Sequence, residues 1–380
     1  MRYRTELAGG LAALGLALRI AAVPLPGASD APIFELWADT ASVEGVGRLY
    51  GTGGVFPERR LLERDGVRTK VNYPPLLLYE FVAARAMHLP LKALGIVADA
   101  LLGLLLWAGL RARGAALAVW LNPAVILTGS VLGYVEPMMA LPATAAVIAA
   151  ASGHAALAGM LIAAAVLTKQ LAVLIVPAVL MACAGRRRHA VLGAAAVSIA
   201  IGAQVAASGG ALNMAWSLAA PLRDPFLSGD AANLWWLIGR VSAPVPLDVY
   251  RAVGAAATVA AVAWSIAALP RRAPAWAPAA AAAFAVHAYA VLAVSVHEPH
   301  LSVAVPLLAV AAAGRRAFWG PFLLVSAIVA INVPRIAGPT AMSLLALGNC
   351  AGLAWHARVY ARECRASRMP IATSKPLRIA

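Results

Sequence analysis

The chain has 380 residues, of which 62% are hydrophobic and 12% charged, with a mean hydropathy of +0.80. Soluble proteins carry about 45–50% apolar and about 25% charged residues, so soluble classes are excluded and the composition is that of an integral membrane protein. The 31 Lys and Arg against 16 Asp and Glu leave a net charge of +15. They fall in short clusters between apolar runs and not along one face with interleaved aromatics, which excludes a nucleic-acid surface and marks them as topology signals.

A bilayer requires about 20 apolar residues per helix. Dividing the sequence at its charged and Gly/Pro-rich breaks predicts an all-α protein of about twelve spans: 7–24, 92–110, 114–131, 138–152, 154–168, 170–184, 190–207, 249–268, 275–296, 301–313, 317–333 and 339–357. Several are short enough to tilt or re-enter. The first follows Arg2 and Arg4, contains Arg19 near its outer end, and reads as a retained span because so many others follow it. There is no internal repeat, so 1–380 is one polytopic domain. Cys183, Cys350 and Cys364 have no close spacing and suggest neither a disulfide framework nor a metal site.

With a cytoplasmic N-terminus, Arg111/Arg113, Arg186 to Arg188, Arg271/Arg272, Arg315/Arg316 and the basic tail 358–380 all fall inside, as the positive-inside rule requires. This predicts a multi-pass protein of the cell's inner membrane with both termini cytoplasmic. The outer face receives loops 25–91 and 208–248, and turns around Gly133 to Pro137, Lys169, His297 to His300 and Asn332 to Gly338. Within the first loop, Leu76 to Leu89 reads as an interfacial or re-entrant helix.

Charged groups at membrane depth are costly, so each is either a functional group or half of a buried pair. Asp30 lies just past the first span and either caps the helix that follows or serves a site. Trp37 comes seven residues later on a short amphipathic helix, with Glu35 and Asp39 on other faces. Tyr73-Pro74-Pro75-Leu76 is either a rigid corner or a means of presenting Tyr73. Asp99, in the second span, either pairs with a cation from another span or serves the site. Glu136, Lys169 and Gln170 occupy outer turns, where a lone Lys also suits a snorkelling anchor. Arg223 precedes Asp230, Asn233, Trp235 and Trp236 in the second loop, and paired Trp next to a span also suits an interfacial belt. His297 and Glu298 share the turn after the ninth span, in an arrangement too loose for a metal site. Asp30, Glu136, Lys169, Arg223, Asp230, His297 and Glu298 come from separate breaks, yet parity assigns all of them to one face. Carboxylates, an imidazole and cations around one membrane-facing cavity suit a polar reaction on a substrate whose tail lies in lipid.

With these residues in place the chain resembles the GT-C superfamily of polytopic glycosyltransferases, most closely the dolichyl-phosphate-glucose-dependent glucosyltransferases of the asparagine-linked glycan pathway. The resemblance covers most of the length. It rests on Asp30 with Trp37, Tyr73 to Leu76, Asp99-Ala100-Leu101, Asn122-Pro123 before an apolar step, Lys169-Gln170 with Pro177, Pro225-Phe226 leading to Ala232-Asn233-Leu234-Trp235, and Val296-His297-Glu298. It differs at Asn72, where the family often has Asp, at Ser228 and Pro299, where it has Arg and Lys, in the extra basic sequence from Gly51 to Lys70, and in a shorter loop before Asn233.

The resemblance implies an inverting glycosyltransferase acting on the outer face. It would move a hexose, glucose or mannose, from a polyprenyl-phosphate sugar to a hydroxyl of a lipid-linked glycan or other envelope acceptor. Asp30 would be the base, with Arg223 and Lys169 facing the departing phosphate, His297 donating a hydrogen bond, and Asp99, Glu298 and Tyr73 orienting. No cofactor or metal is implied beyond the donor, and the partners are membrane lipids, donor and acceptor. A transporter, or a flippase or scaffold for lipid-linked sugars, shares the lipid groove and the phosphate cations but has no need of the Asp30 carboxylate.

Overall fold

The computed structural model describes residues 2–51, 60–219, 224–241, 245–270 and 273–368, with side chains from residue 6 onward. Helix α1 (Arg2–Ala22) turns into α2 (Ala31–Glu44) and α3 (Val46–Leu49), and a hairpin of β1 (Leu62–Arg64) and β2 (Val67–Thr69) precedes α4 (Pro75–Ala86). The bundle continues with α5 (Lys92–Leu104), α6 (Arg113–Trp120), α7 (Pro123–Val125), α8 (Glu136–Ala151), α9 (Ala155–Thr168), α10 (Val176–Ala182) and α11 (Arg187–Ala207). Then come α12 (Ala211–Ala219), strand β3 (Ser228–Gly229), α13 (Leu234–Val241), α14 (Leu247–Ala268) and α15 (Trp276–Leu292). Strand β4 (Val296–His297), α16 (Ala304–Gly314), α17 (Trp319–Asn332) and α18 (Pro339–Ala366) complete it. The protein is all-helical apart from two short pairings, β1 with β2 antiparallel and β3 with β4 parallel.

Each apolar segment of the sequence is helical over most of its length. Among the described residues three helices can cross a membrane by length and composition, Lys92–Gly109, Arg187–Ala207 and Leu247–Ala268. A fourth joins them if Arg113–Trp120 and Pro123–Val131, bent by 45°, count as one span. The bend sits at Asn122-Pro123, where proline has no N–H to continue the ladder and opens the next turn instead. The Asn122 side chain caps that turn by accepting from the Ala124 N–H (2.9 Å), and its Nδ2 donates to Ser326 Oγ (2.8 Å).

Helices α15 and α16 form the centre, buried on almost every side, which is why their sequences are apolar all round and show no amphipathic stripe. Helices α9 and α11 approach backbone to backbone. A Cβ on Gly159 would lie 1.8 Å from the Ala190 carbonyl, and one on Gly193 would lie 2.2 Å from that of Ala156. Glycine at both positions permits the contact, as small residues do between helices in lipid.

Arg186, Arg187, Arg315 and Arg368 gather at the end of the bundle where α8, α10, α14, α16 and α18 finish, and three of them cap carbonyls. Arg186 donates to the Gly153 carbonyl (3.0 Å), Arg187 to that of Leu180 (3.1 Å), and Arg368 to those of Ala267 and Ala268 (3.1 and 2.7 Å). Cations there also oppose the negative ends of the helix dipoles. The extra basic sequence of the first loop has a structural task. Arg60 pairs with Glu44 (2.6 Å) and Arg64 with Asp39 (2.7 Å), so the hairpin is strapped to α2. Its Asp65-Gly66 turn takes left-handed φ at both residues (51° and 78°), the geometry that two-residue hairpins favour.

Candidate functional site

The opposite end of the bundle carries the polar groups, and Asp30 enters it from a braced corner. The Ala28 N–H donates to the Leu132 carbonyl (2.8 Å), and Lys92 Nζ donates to the carbonyls of Leu25 (2.6 Å) and Val131 (2.7 Å). These bonds fix the α1–α2 turn against the loop before α8. Asp30 occupies the N-cap position of α2, but its backbone is helical (φ −79°, ψ −15°) and its side chain makes no cap bond. The capping explanation of this carboxylate therefore fails. Among the described residues the Asp30 carboxylate accepts no hydrogen bond and meets no cation. It lies close enough to Tyr73 and Tyr134 for its charge to oppose ionisation of both phenols.

Tyr73 is held by its neighbours. Pro74 keeps the backbone extended (φ −66°, ψ 161°) before Pro75 opens α4, the Tyr50 hydroxyl donates to the Tyr73 carbonyl (2.8 Å), and Gln170 Nε2 donates to the Asn72 carbonyl (3.1 Å). The ring rests on Trp37 (centroids 5.6 Å) and Phe34 (6.0 Å). Trp37 is thus buried support beneath Tyr73, although its indole N–H has no partner among the described residues. Lys169 leaves α9 with an extended backbone (φ −150°, ψ 126°), which brings its ammonium to Glu136 Oε1, at the N-terminus of α8, and to the Tyr73 hydroxyl. Burial acts to lower the pKa of Lys169, but the Glu136 carboxylate and Tyr73 outweigh it and hold the ammonium above its ordinary value. Burial raises the Tyr73 phenol, and Lys169 offsets part of that rise. Glu136 Oε2 is buried without a partner.

A second carboxylate–cation pair stands beside the first. Glu298 Oε1 accepts from the Tyr134 hydroxyl (2.5 Å) and from Arg335 Nε (2.8 Å), while Glu298 Oε2 is buried without a partner. Burial acts to lower the Arg335 pKa, and Glu298 more than restores it. Arg335 is 39% exposed, and its Nη1 makes only a long contact with Asp230 (3.5 Å). Tyr134 reaches the site because the chain before it is π-helical (Ile126–Val131) and turns at Gly133 (φ 72°), with the Tyr134 N–H returning to the Thr128 carbonyl (3.0 Å). Asp230, Ser295 and Arg335 all adopt left-handed φ (58°, 59° and 54°), a concentration of backbone strain of the kind found at functional sites. The second loop is fastened here as well, because β3 lies along β4 and Asp230 bridges to His297. His297 packs on Phe226 (5.2 Å) and His300 (5.7 Å). Burial, together with Lys169 and His297, pushes the His300 imidazole well below its ordinary value.

The structure brings Asp30, Tyr73, Glu136, Lys169, Gln170, His297 and Glu298 to one end, and gives Asp99, Asn233 and Trp235 structural contacts. Asp99 makes the first of its two expected contacts, a pair with a cation from another span. It is 2% exposed and accepts from Arg19 Nε and Nη2 (3.2 and 3.1 Å), although it and Glu136 line a common cavity of about 20 Å³. Asn233 and Trp235 are buried, each with a structural bond, and Asn233 Nδ2 has no partner among the described residues. Asn233 Oδ1 caps α13 by accepting from the Trp236 N–H (3.0 Å), and Trp235 Nε1 donates to the Leu292 carbonyl (2.6 Å). Arg223 lies outside the described residues. Among the described residues no group of three or more His, Cys, Asp or Glu is arranged to hold a metal ion.

The sequence reading missed Tyr134, Arg335 and Glu80. A signal existed for Arg335, since an arginine in a turn that parity assigns to the face poor in topology arginines is as anomalous as Lys169. Tyr134 had none, because its turn is made by a π-segment that no periodicity reveals. Glu80, on α4, shares a hydrogen bond with Thr168 and is pushed up to about 8 by burial, with Oε2 lacking a partner. No protein-family profile matches this chain, and no curated protein is significantly similar to it.

Proposed function

We propose that this protein is an inverting glycosyltransferase that takes a hexose from a polyprenyl-phosphate sugar and transfers it to a hydroxyl of a lipid-linked or envelope glycan. The observation that carries the reading is the Asp30 carboxylate, unpartnered among the described residues, beside two carboxylate–cation pairs, one of them fully buried, at one end of an all-helical bundle. An isolated carboxylate at a helix N-cap position that does no capping contributes little to the fold, and it suits a group that accepts a proton.

In this reading about twelve helical passes place the polar end outside and the arginine-rich end with both termini inside. The donor's tail lies between helices. The acceptor hydroxyl attacks the anomeric carbon as its proton passes to Asp30. The bond from that carbon to the phosphate oxygen breaks, and the electron pair leaves with the polyprenyl phosphate. Arg335, whose Nη1 is weakly engaged, is the cation for the growing phosphate charge. Lys169 is already neutralised by Glu136 and holds Tyr73 in place.

The test is transfer of radiolabelled sugar from a panel of polyprenyl-phosphate hexoses to a lipid or glycan extract, by purified wild type and Asp30→Asn. Turnover should fall by roughly 10²–10⁴ in the variant, the usual worth of a positioned base, while donor binding persists. Undiminished transfer by the variant would remove Asp30 from the chemistry. Donor binding without turnover by the wild type across the panel would favour a flippase or scaffold.

A further inference from the structure

The arginine-rich end holds a second feature, a groove of about 320 Å³ between the last turns of α14 and α18. It is lined by Trp264, Ala268, Ala361 and Cys364 together with the exposed Arg365 and Arg368. Trp264 is anchored edge-on to Phe284 and Tyr360 and is still 40% exposed, so it presents a fixed aromatic surface.

The charges around this groove are not balanced. The nearby acid, Glu363, is consumed: Oε2 takes Arg315 (2.6 Å) and Oε1 takes Arg362 (3.1 Å). Arg365 has no partner among the described residues. Arg368 is held by one nitrogen, Nη2, which donates to the final carbonyls of α14, so it neutralises that helix end and keeps the guanidinium at the groove. Its Nε and Nη1 make no bond among the described residues. A fixed apolar lining under two uncommitted guanidinium groups matches an anion that carries its own hydrocarbon chain.

We propose that this groove is a binding site for an anionic glycerophospholipid of the surrounding bilayer, with the phosphate on Arg365 and Arg368 and an acyl chain along Trp264. The proposal rests on the chain being embedded in a membrane and not on glycosyl transfer. The plainer account, that these arginines only snorkel and feel the diffuse surface charge, makes a different prediction.

The experiment uses the full-length protein in bilayer discs of phosphatidylcholine with and without phosphatidylglycerol, and reads the lipid retained after gentle extraction by native mass spectrometry. Wild type should retain phosphatidylglycerol about thirtyfold over phosphatidylcholine, the order expected for two arginines near a lipid headgroup. The double variant Arg365→Gln/Arg368→Gln should bring the ratio near parity. Arg365→Gln alone, which removes no hydrogen bond or ion pair among the described residues, should lower the preference about fivefold at unchanged melting temperature. Arg188→Gln, an exposed arginine elsewhere at the same end, should leave it unchanged. Equal retention of the two lipids by wild type, an undiminished preference in both groove variants, or an equal loss in Arg188→Gln would each overturn the proposal. Displacement of the retained lipid by inorganic phosphate would overturn it too, making the groove a free-anion site. Because the readout is retained lipid, its failure and the failure of the transferase reading are separately visible.

Discussion

Two regions bury acidic and basic groups together, and they differ in how their valences are used. In the first, the Arg19 guanidinium is enclosed: it gives two bonds to Asp99 Oδ2, others to the Gly15 and Trp120 carbonyls (3.1 and 2.6 Å), and stacks over the Trp120 ring at 3.9 Å. In the second, around Tyr73, Tyr134 and Asp30, each ion pair is made but its far side is open, since Glu136 Oε2, Glu298 Oε2, Gln170 Oε1 and His300 Nδ1 are buried without partners among the described residues. A network built only to hold helices together gains by satisfying every group, because an orphaned buried polar atom costs about 1–3 kcal/mol. The closed pair is structural by that measure. The open cluster gives up stability at several atoms at once, as sites that must complete themselves around a ligand do.

The comparison breaks most readily at Asp99. Removing one partner of a buried pair leaves an uncompensated charge and costs about 3–5 kcal/mol, whereas replacing both with apolar residues of similar volume is often neutral or better. Asp99→Asn should therefore lower the melting temperature or yield of the protein severely, and Arg19→Met/Asp99→Leu should recover most of the loss. If the single variant is stable yet loses sugar transfer, Asp99 belongs to the site and the division between the regions collapses.

The Glu298–Arg335 pair tests the open side at smaller scale. Glu298→Gln retains an oxygen for the Tyr134 hydroxyl but removes the charge that holds Arg335. Arg335 is over a third exposed, so the stability cost should be near the low end for a charged hydrogen bond, about 1 kcal/mol. Under the transferase reading the turnover number should fall while donor affinity holds or rises, because Arg335 is freed toward phosphate. Unchanged turnover with a large fall in melting temperature would put this pair in the structural class beside Arg19 and Asp99.

Helix positions were legible in the sequence because apolar runs broken by Arg, Gly and Pro are long and unambiguous, and the gathering of Asp30, Glu136, Lys169 and Glu298 was legible because parity needs only a count. Whether Asp30 was capping α2 was not legible, since that turns on a backbone angle. Nor was the choice between the two readings of Asp99, because a helix sequence does not say which neighbour it meets, and Arg19 lies 80 residues away. Asn233 and Trp235 show the converse. Their spacing looked like a binding motif, yet Asn233 Oδ1 caps a helix and Trp235 Nε1 makes an interhelical bond, uses that motif spacing alone does not reveal, while Asn233 Nδ2 is left without a partner among the described residues.

The smallest expected effect concerns Glu80, which belongs to neither network. It sits on α4, which the sequence reading places outside the spans, where burial raises its carboxyl from the ordinary value to about 8 and the hydrogen bond with Thr168 only partly opposes the rise. In the unfolded chain the group ionises near 4.5, so between about 4.5 and 8 the folded protein binds the additional proton. Folding stability is therefore fully supported below the lower value and declines as pH rises through this window. Glu80→Gln, which keeps the shape and cannot ionise, should remove that decline and leave the protein more stable than wild type at pH 8, with little difference at pH 4. Melting temperatures of both proteins across that range decide it. Parallel curves would show that Glu80 stays ionised in the fold, with a counter-charge nearby that would extend the open network of the site onto α4.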